Sequence, residues 1–439
     1  MTQTRGWLVA TVLVGIGALA PLAAQAQTKL SVTGPGSHSY PIAISPLKDL
    51  SQNGAGAKLA GEFADILSRD LELAGLFRII DRQAYIEQPE TSGITAEQIN
   101  FANWSVIGAL ALVKGSLQIS GDELTVEVRL FDVFQQRQLA GRRYRYSPPQ
   151  IRRIANRFAD EIMEVFTNER GPFDSRIAFV STRGGRFKNI YVMSPDGGDL
   201  LQVTSGKTID LSPSWSPDAR SLLYTSYKKG NPDLYLLDLI GVREVRLSAE
   251  KGLNLGGKWS PDGSRLAVAL EDQGNSDIFL LDREGRLIRR LTEHWAIDVS
   301  PSWSPDGQRL AFCSNRSGTP HIYVMHADGS GVTRISHEGN YNTSPAWSPK
   351  GDRIAYVGRS GRFNIFTVKT DGSGTKQITN GEGNNEDPSW APDGRYLVFS
   401  STRGGASLLY VTDQNGTSQV PLTRGGGDDT SASWSRWLE

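Results

Sequence analysis

Soft ligands and disulfide partners are scarce in this chain, whose 439 residues hold one cysteine and five histidines. Cys313 has no partner within the chain, so stability must come from packing, and the thiol is expected to behave as a small buried hydrophobe. His38, His294, His321, His326 and His337 form no pair at local zinc-site spacing, which leaves a metal-dependent lyase only ligands converging from distant segments. A serine hydrolase lacks its nucleophile elbow, because Gly358-Arg359-Ser360-Gly361-Arg362 fails the Gly-x-Ser-x-Gly pattern at its last position. Net charge is absent as well: 47 basic residues balance 47 acidic ones, which gives no footprint for nucleic acid. No alternating Asp-x-Asp series accompanies the aspartate turns, so calcium is not expected there. The residues therefore offer no local signature of a cofactor, a metal site or a catalytic centre, and none is expected.

A membrane span is also missing. Arg5, the apolar run Trp7 to Leu19 and the small-x-small site Ala24-Gln25-Ala26 predict an export signal cleaved after Ala26. Pro21 and the small residues around it keep the apolar run below the roughly 20 residues a span needs. The mature chain is therefore expected to start at Gln27 after export, without inserting into the membrane.

What the chain has in abundance is one repeated phrase. Ser212-Pro213-Ser214-Trp215-Ser216-Pro217-Asp218 returns in variants whose tryptophans are Trp215, Trp259, Trp303, Trp347, Trp390 and Trp434, at intervals of 44, 44, 44, 43 and 44 residues. A period that regular marks a stacked or circular repeat. Each unit carries four short strand signals separated by turns, as in Pro301–Ser304, Leu310–Ser314, Ile322–Met325 and Val332–Ser336, with Asp-Gly bends where glycine takes positive φ. Four antiparallel strands in about 44 residues match one propeller blade. The repeat opens at Ile177–Val180, which corresponds to a second strand, and stops just after Trp434, a first strand. A six-bladed propeller results if Ala432–Ser435 fills the place beside Ile177–Ser181, which hides both edges. The six tryptophans are expected to wedge between blades, with their N–H groups on backbone carbonyls.

Residues 27–168 lack the period. Strands are expected at Lys29–Val32, Pro41–Ile44 and Phe77–Ile80, a helix over Lys58–Leu73, and a second helix opened by Thr95 with Gln98 as its capping box. Val106–Val113 is expected to be a strand covered on both faces, and Leu124–Phe131 to pair with Leu139–Tyr146. Gln150–Phe166 is amphipathic, and Asn168–Pro172 is expected to end that helix. This predicts an α/β domain, a mixed sheet covered by helices, over 27–168 with a flexible arm at 27–39. A linker at 169–175 then leads to the propeller at 176–439.

One polar ring stands out. Five positions before each tryptophan stands Asp210, Asn254, Asp298, Asn342, Asn385 or Asp429, and the loop after the second strand brings Arg183, Lys228, Arg316 and Arg403, with Arg359 displaced by one. Antiparallel alternation puts both sets on one face. Either the side chains cap their own turns and the bases pair with them between blades, or the ring frames the channel mouth and meets a partner. The same face is expected to carry Leu253, Trp295, Tyr341 and Asn384, and exposed aromatics beside Asn and Asp suit a protein interface.

The export signal, the α/β domain and six Pro-Ser-Trp-Ser-Pro-Asp-Gly units ending at Ser433-Trp434-Ser435 closely resemble the TolB family, propeller proteins of the periplasmic Tol-Pal system. The resemblance implies a non-enzymatic monomeric scaffold for outer-membrane integrity and constriction at division. It also implies that the channel-mouth face binds the lipoprotein Pal. The mature N-terminal segment, here Gln27, Thr28, Lys29, Leu30, Ser31 and Val32 onward, is implied to contact TolA. Where family members present a His toward Pal, this chain reads Gly252-Leu253-Asn254-Leu255-Gly256-Gly257, and His337 in another such loop is the candidate substitute. The alternatives are a peptide- or carbohydrate-binding propeller, or a propeller-type hydrolase or lyase.

Overall fold

The computed structural model describes residues 39–248, 252, 254–381 and 383–439. The export signal, Gln27–Val32 and Leu253 lie outside the described residues.

The first described domain is a mixed sheet built from β1 (Tyr40–Ile44), β2 (Lys48–Asp49), β3 (Phe77–Ile79), β4 (Ala111–Ser120), β5 (Glu123–Asp132) and β6 (Arg137–Tyr146). The order is β3-β1-β4-β5-β6, with β2 beside β4. β1 runs parallel to β3 and β4, while β4, β5 and β6 form an antiparallel meander. α1 (Ala57–Ala74) and α3 (Ile151–Thr167) bury one stripe each, Phe63, Ile66, Leu67 and Leu71 from the first and Ile154, Phe158, Ile162 and Phe166 from the second. That spacing of three and four lays both helices on the same face of the sheet.

Two expectations change here. The helix opened by Thr95 is replaced by turns, with Gln98 Oε1 accepting from Ile94 N; the helix is instead α2 (Phe101–Val106), capped by Asn100 Oδ1 on Ala102 N. Phe101 and Trp104, three residues apart, dock on the second face of the sheet with Leu112 and Phe131. The strand expected from Val106 therefore starts only at Ala111. The apolar run spans the end of a helix and the start of a strand, and apolarity alone does not separate the two. α3 stops at Asn168, whose φ of 58° takes the left-handed capping conformation before the Gly-Pro pair is reached.

Six four-stranded antiparallel sheets follow among the described residues. Their innermost strands are Asp210–Trp215, Asn254–Trp259, Asp298–Trp303, Asn342–Trp347, Asn385–Trp390 and Asp429–Trp434. The last pairs antiparallel with Ile177–Ser181, in register Asp429 with Ser181 and Trp434 with Ile177, and Asn189–Met193 and Leu201–Gln202 complete that sheet. We name each blade by its tryptophan.

Every innermost strand also carries a bulge. Three residues before each tryptophan, Ser212, Gly256, Ser300, Ser344, Asp387 and Ser431 all have φ between 50° and 64°. A residue with a Cβ seldom takes that conformation, and its recurrence in all six units marks the kink as a built-in feature of the blade.

The two regions share a core. Phe166 and Phe173 pack in one cluster with Tyr191, Tyr396, Leu409 and Trp434. Tyr396 Oη donates to Ala74 O at 2.9 Å, and Asp196 in a blade turn meets Arg69 and Arg152. Tyr396 starts a second strand and Asp196 lies in a third-to-fourth turn, so the α/β domain packs on the tryptophan end of the blades. The loops that precede the Asx residues open on the opposite face.

Candidate functional site

The tryptophans are wedges. Trp215, Trp303, Trp347, Trp390 and Trp434 are buried and Trp259 is half-buried. Trp215 Nε1 donates to Ser433 O at 3.0 Å, Trp303 Nε1 to Lys258 O at 3.1 Å and Trp390 Nε1 to Ala346 O at 3.0 Å. Each acceptor belongs to the preceding blade, one residue before its own tryptophan. Trp434 Nε1 instead donates to Ser175 Oγ at 2.8 Å, and the Nε1 groups of Trp259 and Trp347 reach no acceptor, so three of the six follow the expected carbonyl pattern.

The turns after them share one device. Ser216, Ser260 and Ser304 hydroxyls donate to Asp218, Asp262 and Asp306, each at 2.5 Å. The hydroxyls of Ser260 and Ser264 and the Ser264 N–H hold the Asp262 carboxyl down at about 2. In the Trp390 blade, Ala391 stands where the serine would be. Asp393 is buried there, and burial pushes its carboxyl up to about 7.

The Asx ring lies beneath the surface. Asp210, Asn254, Asp298, Asn342, Asn385 and Asp429 are 0–3 % exposed. Ser226 Oγ donates to Asp210 and Ser181 Oγ to Asp429, both at 2.6 Å. Ser248 Oγ, on the preceding blade, donates to Asn254 Oδ1 at 2.9 Å, so the ring also ties neighbouring blades. Burial raises the carboxyls of Asp210 and Asp298 even so. A docked molecule does not reach these six side chains as they stand. Reversing the charge at Asp298, whose carboxylate meets Arg316 at 2.8 Å, breaks a buried pair and so reports on folding rather than on docking.

The bases close this layer from above, within blades rather than between them. Arg183 reaches Asp429 at 2.6 Å, and Arg403 reaches Asn385 Oδ1 at 2.9 Å. Arg183 also lies over Phe179 and Tyr191, Arg316 over Phe312 and Tyr323, and Arg403 over Phe399 and Tyr410. Lys228 sits 3.7 Å from the Tyr235 ring and pairs with Glu244, while displaced Arg359 stacks on Phe363. The signal that would have found these aromatic platforms is a ring four residues before each base, at Phe179, Tyr224, Phe312 and Phe399, paired across the sheet with a tyrosine of the third strand.

Fewer of the expected residues face outward. Trp295 is 72 % exposed and Tyr341 37 %. His337 is exposed too, and Asn384 is half-buried, its Oδ1 accepting from Phe363 N at 3.3 Å. Two apolar neighbours were missed: Ile209 at 43 % and Ile297 at 51 %. Each directly precedes an Asx residue, where alternation along a strand that starts one residue later hides the outward side chain. Trp295 and Ile297 lead into Asp298 and Tyr341 into Asn342, so three exposed apolar side chains occupy consecutive blade junctions.

Comparison with known proteins bears on the whole arrangement. A family model described as the TolB beta propeller domain matches residues 163–438, and one described as the TolB amino-terminal domain matches residues 28–139. Relatives called Tol-Pal system protein TolB include those of Desulfosudis oleivorans, 40% identical over 208 residues, and Syntrophotalea carbinolica, 41% identical over 213 residues. Those alignments cover 47% and 48% of this chain and 47% and 49% of the relatives, so the chain spans about half their length. The crystal structure of TolB from Acinetobacter baumannii superposes with a TM-score of 0.80 at 25% identity, over 91% of this chain and 97% of that one.

Proposed function

The chain belongs to the TolB family, and from that premise we propose that it is a periplasmic scaffold of the Tol-Pal system that binds Pal on the face opposite its α/β domain. The observation that carries this reading is the run of exposed apolar side chains, Trp295, Ile297 and Tyr341, at consecutive blade junctions. Aromatic anchors on a rigid rim, with buried polar groups already paired beneath them, are what a protein interface uses to gain affinity without ordering cost. The scaffold has no catalytic step to perform, and its contribution to envelope integrity and constriction rests on holding partners. We place the TolA contact on the arm that starts at Gln27-Thr28-Lys29-Leu30-Ser31-Val32. No helix among the described residues is long and apolar enough to cross a membrane.

The test is a binding titration of Pal against the Trp295→Ala/Tyr341→Ala double variant. Each truncation of an interface anchor costs about 2 kcal/mol or more, so affinity should fall by at least roughly 100-fold with the melting temperature unchanged. Unaltered Pal affinity would place the interface elsewhere.

A further inference from the structure

The channel along the propeller axis has a second odd feature, at the position one residue before each tryptophan. That ring reads Ser214, Lys258, Ser302, Ala346, Ser389 and Ser433, and all six residues line a cavity of about 860 Å³. Five are small, and the sixth is a lysine. The small members show which way the position faces: Ser302 Oγ accepts from Trp347 N, and Ser389 Oγ accepts from Trp434 N, both at 3.0 Å. Those contacts lie on the next blade beside the lumen. An ammonium cannot accept, so the Lys258 chain takes no such bond and runs on into the channel.

Among the described residues, Lys258 Nζ makes no hydrogen bond within 3.5 Å and no ion pair within 4 Å. The charge that acts on it is Asp387, on the blade across the ring. Asp387 stands two residues nearer the opposite mouth along its strand, and its carboxylate already accepts from Ser431 N and Oγ at 3.2 Å. The level of Lys258 thus offers two serine hydroxyls as donors. Ser302 and Ser389 use their oxygen lone pairs on backbone N–H groups, which leaves their hydroxyl hydrogens for the lumen, beside one ammonium.

We infer that this ring is a binding site for a compact carboxylate monoanion held by Lys258, with the serine hydroxyls donating to its second oxygen. The walls of tryptophan and proline are of low dielectric, which concentrates the field of the ammonium and makes a charge-assisted bond stronger than it is in water. The same walls give apolar contact to a carbon substituent, which a halide does not use. The nearby Asp387 carboxyl opposes a second negative charge, which disfavours phosphate and sulfate. Burial lowers the basicity of Lys258, and an acquired carboxylate reverses that trend. The site does not depend on docking at the outer rim.

The experiment is a calorimetric titration of sodium propionate into the full mature chain at constant ionic strength set with chloride. Saturable binding is expected, about tenfold or more weaker in Lys258→Ser and retained in Lys258→Arg. Lys258→Ser installs the residue that four of the six blades already carry, so it should fold, and an unchanged melt verifies this. A short Gly-Ser peptide with a free terminal carboxylate competes with propionate if the natural ligand is a chain end, whereas its amide does not. A small free carboxylate as ligand leaves both peptides silent. Absence of saturable propionate binding, or full binding by Lys258→Ser, overturns the inference. The Trp295→Ala/Tyr341→Ala variant should bind propionate normally, which separates this outcome from that of the docking proposal.

Discussion

His321 shows how one residue changes the chemistry of a blade. In two neighbouring blades the third strand brings an aspartate to an arginine from the fourth: Asp233 to Arg246 at 2.8 Å and Asp277 to Arg290 at 2.6 Å. In the Trp303 blade the acceptor is the buried imidazole of His321, with Arg334 Nη2 at 3.0 and 3.1 Å from its ring nitrogens and Asn342 Nδ2 at 3.0 Å from Nδ1. Only a neutral ring accepts from both, and burial, then the Arg334 and His337 charges, push its pKa below the ordinary 6.5. The unfolded chain consequently takes up the proton first as pH falls. Stability should decline below about pH 6.5 until the folded ring itself protonates. His321→Asn, which installs the residue found at the matching Asn189 and Asn364, should flatten the melting temperature between pH 7.5 and 5.5. An identical acid slope in the variant would assign the effect to other groups.

At the scale of the element, the strand Asp429–Trp434 carries more than its length suggests. It pairs with Ile177–Ser181, accepts Trp215 Nε1 at Ser433 O, and places Trp434 between two blades. Deleting Ser431–Glu439 removes a buried tryptophan and uncovers a strand edge, a loss of about 3–5 kcal/mol for the ring alone. The melting temperature should drop by about 4 °C or more. A shift of only a degree or two would show that the edge needs no partner. The repeat made these strands legible, because each Trp-Ser-Pro-Asp-Gly phrase prints its own turn. The bulge before each tryptophan was not legible, since serine in a left-handed conformation looks like any other serine. The helix Phe101–Val106 was misread for a similar reason: its two buried rings sit in a run whose apolarity continues into the next strand.

The whole molecule behaves as more than two domains on a string. Tyr396 Oη reaches the carbonyl of Ala74, Phe173 of the segment between α3 and the first blade packs into the shared core, and Trp437 folds back on that segment, its Nε1 donating to Gly171 O at 2.7 Å. Asp70 of α1 lies buried at the same junction, its carboxyl pushed well above the usual carboxylate range first by burial and then by the Asp196 and Asp160 carboxylates. Scanning calorimetry should accordingly give one unfolding transition for the full chain. Tyr396→Phe leaves a buried carbonyl unpaired and should lower stability by about 1–3 kcal/mol while loosening the two regions from each other. Two resolved transitions in the unaltered chain would show that the shared core does not couple them.

The sequence by itself determined the number of blades, the tryptophan wedges and the aspartate turns, because a 44-residue period and Asp-Gly chemistry are local properties that each unit repeats. It also pointed to Trp295 and Tyr341 as surface aromatics. Which members of the polar ring reach solvent was decided only by tertiary structure, because burial depends on what the neighbouring blade lays over a residue. The six Asx residues therefore sank into the wall while Ile209 and Ile297 surfaced. Lys258 became distinctive in the same way: in the chain it is one basic residue among 47, and only closure of six strands around an axis leaves its ammonium facing a channel.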